Sequence, residues 1–120
     1  MVMQSGKENI IMDLTFEFSL MIIAYAEILE KQRKFQISNQ IIRSGTSIGA
    51  NVREAQNAES RADFIHKMKI AAKEADETEY WLLLCKASEN YPFDDELLVK
   101  LKNISLILSK IIGTTKRNIN

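Results

Sequence analysis

Phe64, Met68, Ala71, Ala75, Thr78, Leu82 and Cys85 follow one another at alternating spacings of four and three residues. That is the seam of a helix lying along a bundle. Ser60 is placed to cap it, with Asp63 in the first turn where an acid favours the helix dipole. The helix should run to about residue 89, ahead of Pro92. Leu97, Leu101, Ile104, Leu108 and Ile111 repeat the pattern after that proline, with Asp94 or Asp95 as the cap and Gly113 near the end. The polar tail TTKRNIN beyond it is expected to fray.

Two further helices precede these. In the second, Ser38 is the expected cap, and Ile37, Ile41, Gly45, Ile48, Val52 and Ala55 share one side at about 100° per residue. This stripe runs through RSGTSIGANVREA without interruption. A phosphate-wrapping loop would need a preceding strand and a GK[ST] ending, and neither is present. Each Gly costs a helix roughly 1 kcal/mol relative to Ala, so Gly45 and Gly49 imply close backbone approach. Gly45 points toward the neighbouring helix of the same subunit. Thr46, Gly49 and Ala50, with Arg43 on the back, are expected to admit something from outside.

The first helix is apolar on two sides. Phe16, Leu20 and Ile23 form one stripe; Leu14, Phe18, Met21, Ile22, Tyr25, Ile28 and Leu29 form a second. A small bundle needs only one such face, so the second stripe is expected to be an oligomer interface. Its members would be Leu14, Phe18, Met21, Tyr25 and Ile28, joined by Thr46, Gly49 and Ala50. Trp81 lies off the seam of its helix; it fills a subunit interface or caps the edge of its own core, and both readings stay open. Short connections near residues 32–37, 57–60 and 90–94 predict an all-α, up-down-up-down antiparallel four-helix bundle. It is a single domain over residues 1–120, ordered from about 10 to 115.

Composition fits this picture. The chain has 120 residues, 46% of them hydrophobic, with one proline and four glycines, which leaves little turn punctuation. Cys85 is the sole cysteine, so no intrachain disulfide can form, which suits a reducing cytoplasm. The most apolar run, LMIIAYA, is far short of the roughly 20 residues of a membrane helix. MVMQSGKEN shows no signal-peptide pattern.

Net charge is zero but segregated. Residues 31–73 hold nine bases and three acids; residues 74–99 hold one base and eight acids; residues 100–120 hold five bases and no acid. Neighbouring helices that cancel one another are the preferred account, and zero net charge is unusual for a dedicated nucleic-acid binder.

The run RSGTSIGANVREAQNAESRADFIHKMKIAAKEADETEYWLLL resembles the signature of the four-helix-bundle proteins encoded in 23S rRNA intervening sequences, the S23 type. The resemblance spans roughly residues 10–115. It implies a bacterial, cytoplasmic bundle that forms homopentameric rings. A similar architecture is that of the accessory variability determinant of diversity-generating retroelements, which binds nucleic acid and a reverse transcriptase. That relative is strongly basic, unlike this chain.

Catalytic chemistry is not expected. A di-iron bundle needs two Glu-x-x-His motifs, and this chain has one histidine, His66, turned away from its helix seam. Cys85 lies on the core seam without a nucleophile's partner, and Glu74, Glu77 and Glu79 lie on differing sides of their helix. No cofactor or metal is called for. Two function classes remain open. One is an RNA- or DNA-associated oligomer using Arg43, Arg53, Arg61, Lys67, Lys69 and Lys73 against phosphates. The other is an assembly or adaptor protein that binds another protein, its bases pairing with residues 74–79 across subunits. Neither involves a membrane.

Overall fold

Four helices, α1 (Lys7–Lys31), α2 (Phe35–Ala55), α3 (Arg61–Ala87) and α4 (Glu96–Arg117), make up the described residues of the protein, seen here in a computed structural model. The structure describes residues 7–117, with side chains from residue 10. The last three residues of the tail expected to fray lie outside that range, as do residues 1–6. Each helix packs on the next and α4 closes onto α1, while the backbones of diagonal helices stay apart. That is the arrangement of an up-down-up-down bundle, measuring 51 × 21 × 20 Å.

Short connections enforce the antiparallel order. At the end of α1, Arg33 takes a left-handed φ of 65°. The Lys34 N–H donates to the Leu29 carbonyl at 2.9 Å and the Arg33 N–H to the Glu30 carbonyl at 2.8 Å. These are the two bonds of a Schellman stop, built without the usual glycine. Asn90 plays a similar left-handed part after α3, with φ 66°; asparagine tolerates that region better than most residues. α3 opens as its sequence predicts: Ser60 Oγ accepts from the Asp63 N–H at 3.0 Å, and Asp63 reaches back to accept from the Glu59 N–H at 3.2 Å. Asp94 accepts from the Glu96 N–H at 3.0 Å and so caps α4.

Three local expectations are corrected. Ser38 does not cap α2, which begins at Phe35 behind a Lys34 that makes no side-chain cap bond. Ser38 is buried one turn inside, and its hydroxyl donates to the Ala26 carbonyl of α1 at 2.8 Å. α4 runs through Gly113 to Arg117, so that glycine does not stop the helix. α3 ends at Ala87, slightly short of residue 89.

The core is one continuous column. α2 contributes Ile41, Ile48, Val52 and Ala55, α3 the full seam from Phe64 to Cys85, and α4 Leu97, Leu101, Ile104 and Leu108. α1 contributes Ile11, Phe18, Ile22, Tyr25 and Leu29. Buried hydroxyls pin the helices in register. Thr78 Oγ1 lies 2.9 Å from Ser44 Oγ across the α2–α3 seam, and the Tyr25 hydroxyl donates to the Pro92 carbonyl at 2.7 Å.

Candidate functional site

The core takes the α1 stripe that was expected to face another subunit. Phe18 and Tyr25 are buried inside their own bundle, Leu14 and Met21 pack half-buried against the same core, and only Ile28 of that group is exposed. The physical reason is length. The stripe from Ile11 to Leu29 continues over the whole helix and so can line the whole column, whereas Phe16, Leu20 and Ile23 cover two turns. Those three are left outside, 63%, 54% and 37% exposed.

Phe16, the first of them, lines a groove between α1 and α2. Met12, Thr15, Phe16, Ser19, Gly49, Ala50 and Arg53 line this depression of about 200 Å³. The two glycines act differently along it. A Cβ on Gly45 would lie 2.8 Å from both Cγ1 and Cγ2 of the buried Ile22, so α2 rests on α1 there. A Cβ on Gly49 would lie 3.3 Å from the Thr15 carbonyl oxygen and hydroxyl. Gly49 therefore admits α1 of its own subunit, which corrects the expectation that its neighbour comes from outside. Thr46 is half-buried and Ala50 is exposed at the groove.

The basic residues divide. Arg43 bridges to Glu74 at 3.3 Å and to Glu77, tying α2 to α3 within one subunit. Lys67 pairs with Glu54 at 3.0 Å. The expected pairing of bases with residues 74–79 thus occurs at Arg43, inside the chain. Arg53 lines the α1–α2 groove, while Lys69 and Lys73 lie exposed on α3; none of the three enters an ion pair among the described residues. Arg61 is exposed at the start of α3. The six candidate bases do not gather on one face.

Trp81 is half-buried against the core edge, and its Nε1–H donates to Glu77 at 3.0 Å. One carboxylate thereby holds both Arg43 and Trp81. His66 is exposed, and among the described residues no group of three His, Cys, Asp or Glu side chains is placed to hold a metal ion. Cys85 is buried beside the Tyr25 hydroxyl, and burial pushes its thiol pKa up. Burial chiefly, and then the hydrogen bond with the thiol, push the Tyr25 phenol well above its ordinary value. Neither group is prepared for ionisation at neutral pH. No described helix is long and apolar enough to cross a membrane.

The model of the family described as 23S rRNA-intervening sequence protein matches residues 7–113. A crystal structure at 1.70 Å of a protein of unknown function, from the S23 ribosomal protein family of Bacteroides thetaiotaomicron VPI-5482, is 44% identical. It superposes with a TM-score of 0.80 over 90% of this chain and 99% of that one. A comparison with curated proteins gives no match.

Proposed function

This chain belongs to the 23S rRNA-intervening sequence protein family, and from that premise we propose that it is a non-enzymatic assembly module. Copies of the bundle associate through the outward face of α1 and α2 and present a repeated surface to another macromolecule. The observation that carries this reading is the exposed stripe Phe16, Leu20 and Ile23 beside the groove lined by Gly49 and Ala50. Fully burying one such side chain is worth about 1.5–3 kcal/mol, so a stripe of three, even half-covered already, drives association. A groove lined by small residues has room for a neighbour's side chain. The number of copies, five, comes from the family resemblance. A cyclic ring joins two different faces of each copy, and the outward Val99 and Leu106 of α4 offer apolar surface for the second.

Light scattering on the purified protein tests this. A discrete oligomer at micromolar concentration is expected; a stable monomer up to about 100 µM, where even weak association with a Kd in the micromolar range would register, rejects it.

A second reading is favoured by Lys69 and Lys73, one turn apart, exposed and without an ion pair among the described residues. Repeated around an oligomer, they would give a polyanion such as RNA several weak contacts at once. Filter binding to structured RNA should then fall steeply with salt and weaken in Lys69→Glu with Lys73→Glu. No binding at roughly 50 mM salt, where phosphate contacts are strong, leaves the assembly reading alone.

A further inference from the structure

The run EYWLLL in the second half of α3 supplies more apolar surface than the core uses. Leu82 is buried, but Tyr80, Leu83 and Leu84 are 57%, 47% and 39% exposed. They stand at i, i+3 and i+4 and so form one patch. Trp81, its ring centroid 5.4 Å from that of Tyr80, borders it. The surroundings are acidic. Asp76, Glu79 and Glu89 are exposed and enter no ion pair among the described residues, whereas Lys86, the one base between residues 74 and 99, is engaged by Asp95 at 2.7 Å.

We propose that this half of α3 is a docking surface for a short basic amphipathic helix of another protein. Tyr80, Leu83 and Leu84 provide the apolar anchors, and Asp76 and Glu79 on the same helix select for positive charge. Two observations fix the occupant. Asp76 and Glu79 flank the anchors, with Lys73 as the base one turn before them, and residues 74–89 hold five acids against one base, so a basic partner is both attracted and oriented. The patch is also small. Three half-exposed side chains offer on the order of 300 Å², against roughly 800 Å² per partner in a stable protein–protein interface. A surface of that size suits one amphipathic helix held by a few anchors. It lies on a different helix from the outward stripe of α1 and from Val99 and Leu106 of α4, the two faces assigned above to contacts between copies.

Trp81 is the sole tryptophan of the chain and serves as the reporter. The probe is a synthetic Leu/Lys peptide of about four helical turns with Leu at helical spacing, titrated into the full-length protein. The expected result is a saturable change in Trp81 emission that weakens with salt and becomes about tenfold weaker or more in Leu83→Lys with Leu84→Lys. Charge reversal by Asp76→Lys with Glu79→Lys, which keeps the apolar side chains, should weaken it as well. The proposal is overturned by equal binding of a Leu/Glu peptide of the same pattern, or by unchanged affinity in both variants. It is also overturned if no binding occurs up to about 100 µM, a weak affinity of roughly 5 kcal/mol. A change of oligomer size in either variant would assign the patch to contacts between copies, which also overturns it.

Discussion

The face of α1 that carries Phe18, Ile22, Tyr25 and Leu29 differs from the face that carries Phe16, Leu20 and Ile23 in what lies opposite it, not in how apolar it is. The first meets a matched partner at every turn: Gly45 of α2 receives Ile22, and Phe93 stands edge-on to Tyr25 at 5.9 Å. The second is only partly covered within the subunit, with Phe16 at the α1–α2 groove. A run of apolar residues states that a surface needs cover, and only the complementary surface states where the cover comes from. On the proposed reading, one face holds the subunit together and the other holds subunits to each other.

The comparison breaks most visibly at Phe18. It is fully buried, so Phe18→Ala removes a large core side chain and should cost about 3–5 kcal/mol, read as a drop in the urea midpoint. Truncating the exposed Phe16 in the same way should move the midpoint little. Equal effects at the two positions would mean that the faces do not differ as described.

The two glycines sharpen the same contrast on α2. Ile22 is β-branched and held to one rotamer on its helix, so its Cγ atoms cannot swing away from a Cβ at position 45. Gly45→Ala should destabilise by about 1–3 kcal/mol despite better helix propensity. At Gly49 the nearest atoms are 3.3 Å away, and the propensity gain of about 1 kcal/mol offsets a small adjustment. Gly49→Ala should therefore be close to neutral in a thermal melt.

A smaller effect appears with pH on the buried face. Tyr25 and Cys85 both have their pKa raised by burial. In the unfolded chain a thiol and a phenol release protons near about 8.5 and 10, while the folded chain keeps them. The unfolded state then binds fewer protons, so stability is full below that range and falls as pH rises through it. Urea unfolding at neutral and alkaline pH should show this loss, and Tyr25→Phe should flatten it.

Much of this architecture is legible in the residues, for reasons that differ by helix. The seam of α3 and the stripe of α2 follow from single-faced periodicity, and Ser60 with Asp63 marks a helix start because both side chains act on their own backbone. Ser38 misleads because a hydroxyl there can serve a cap or another helix, and the choice depends on where the Ala26 carbonyl lies. The α1 faces misleadingly exchange places for the same reason: a helix apolar on two sides does not say which side meets α2 and α4. Pairing of Arg43 with Glu74 and Glu77 is visible as charge segregation, but whether it runs within or between chains depends on the antiparallel register of α2 and α3. The triad Tyr80, Leu83 and Leu84 falls off the seam of Leu82 and Cys85, so its outward position is legible in the sequence, whereas how far α2 and α4 cover it depends on the packing.

Sedimentation velocity on Phe16→Lys with Leu20→Lys, at a concentration where the unaltered chain is assembled, puts the difference between the faces to the test. Both side chains are exposed, so the bundle should keep its stability to within about 0.5 kcal/mol. The account predicts that the double variant sediments as a folded monomer. Sedimentation at the oligomer's rate, with the unaltered chain alongside, would contradict it and return the outward stripe of α1 to ordinary surface.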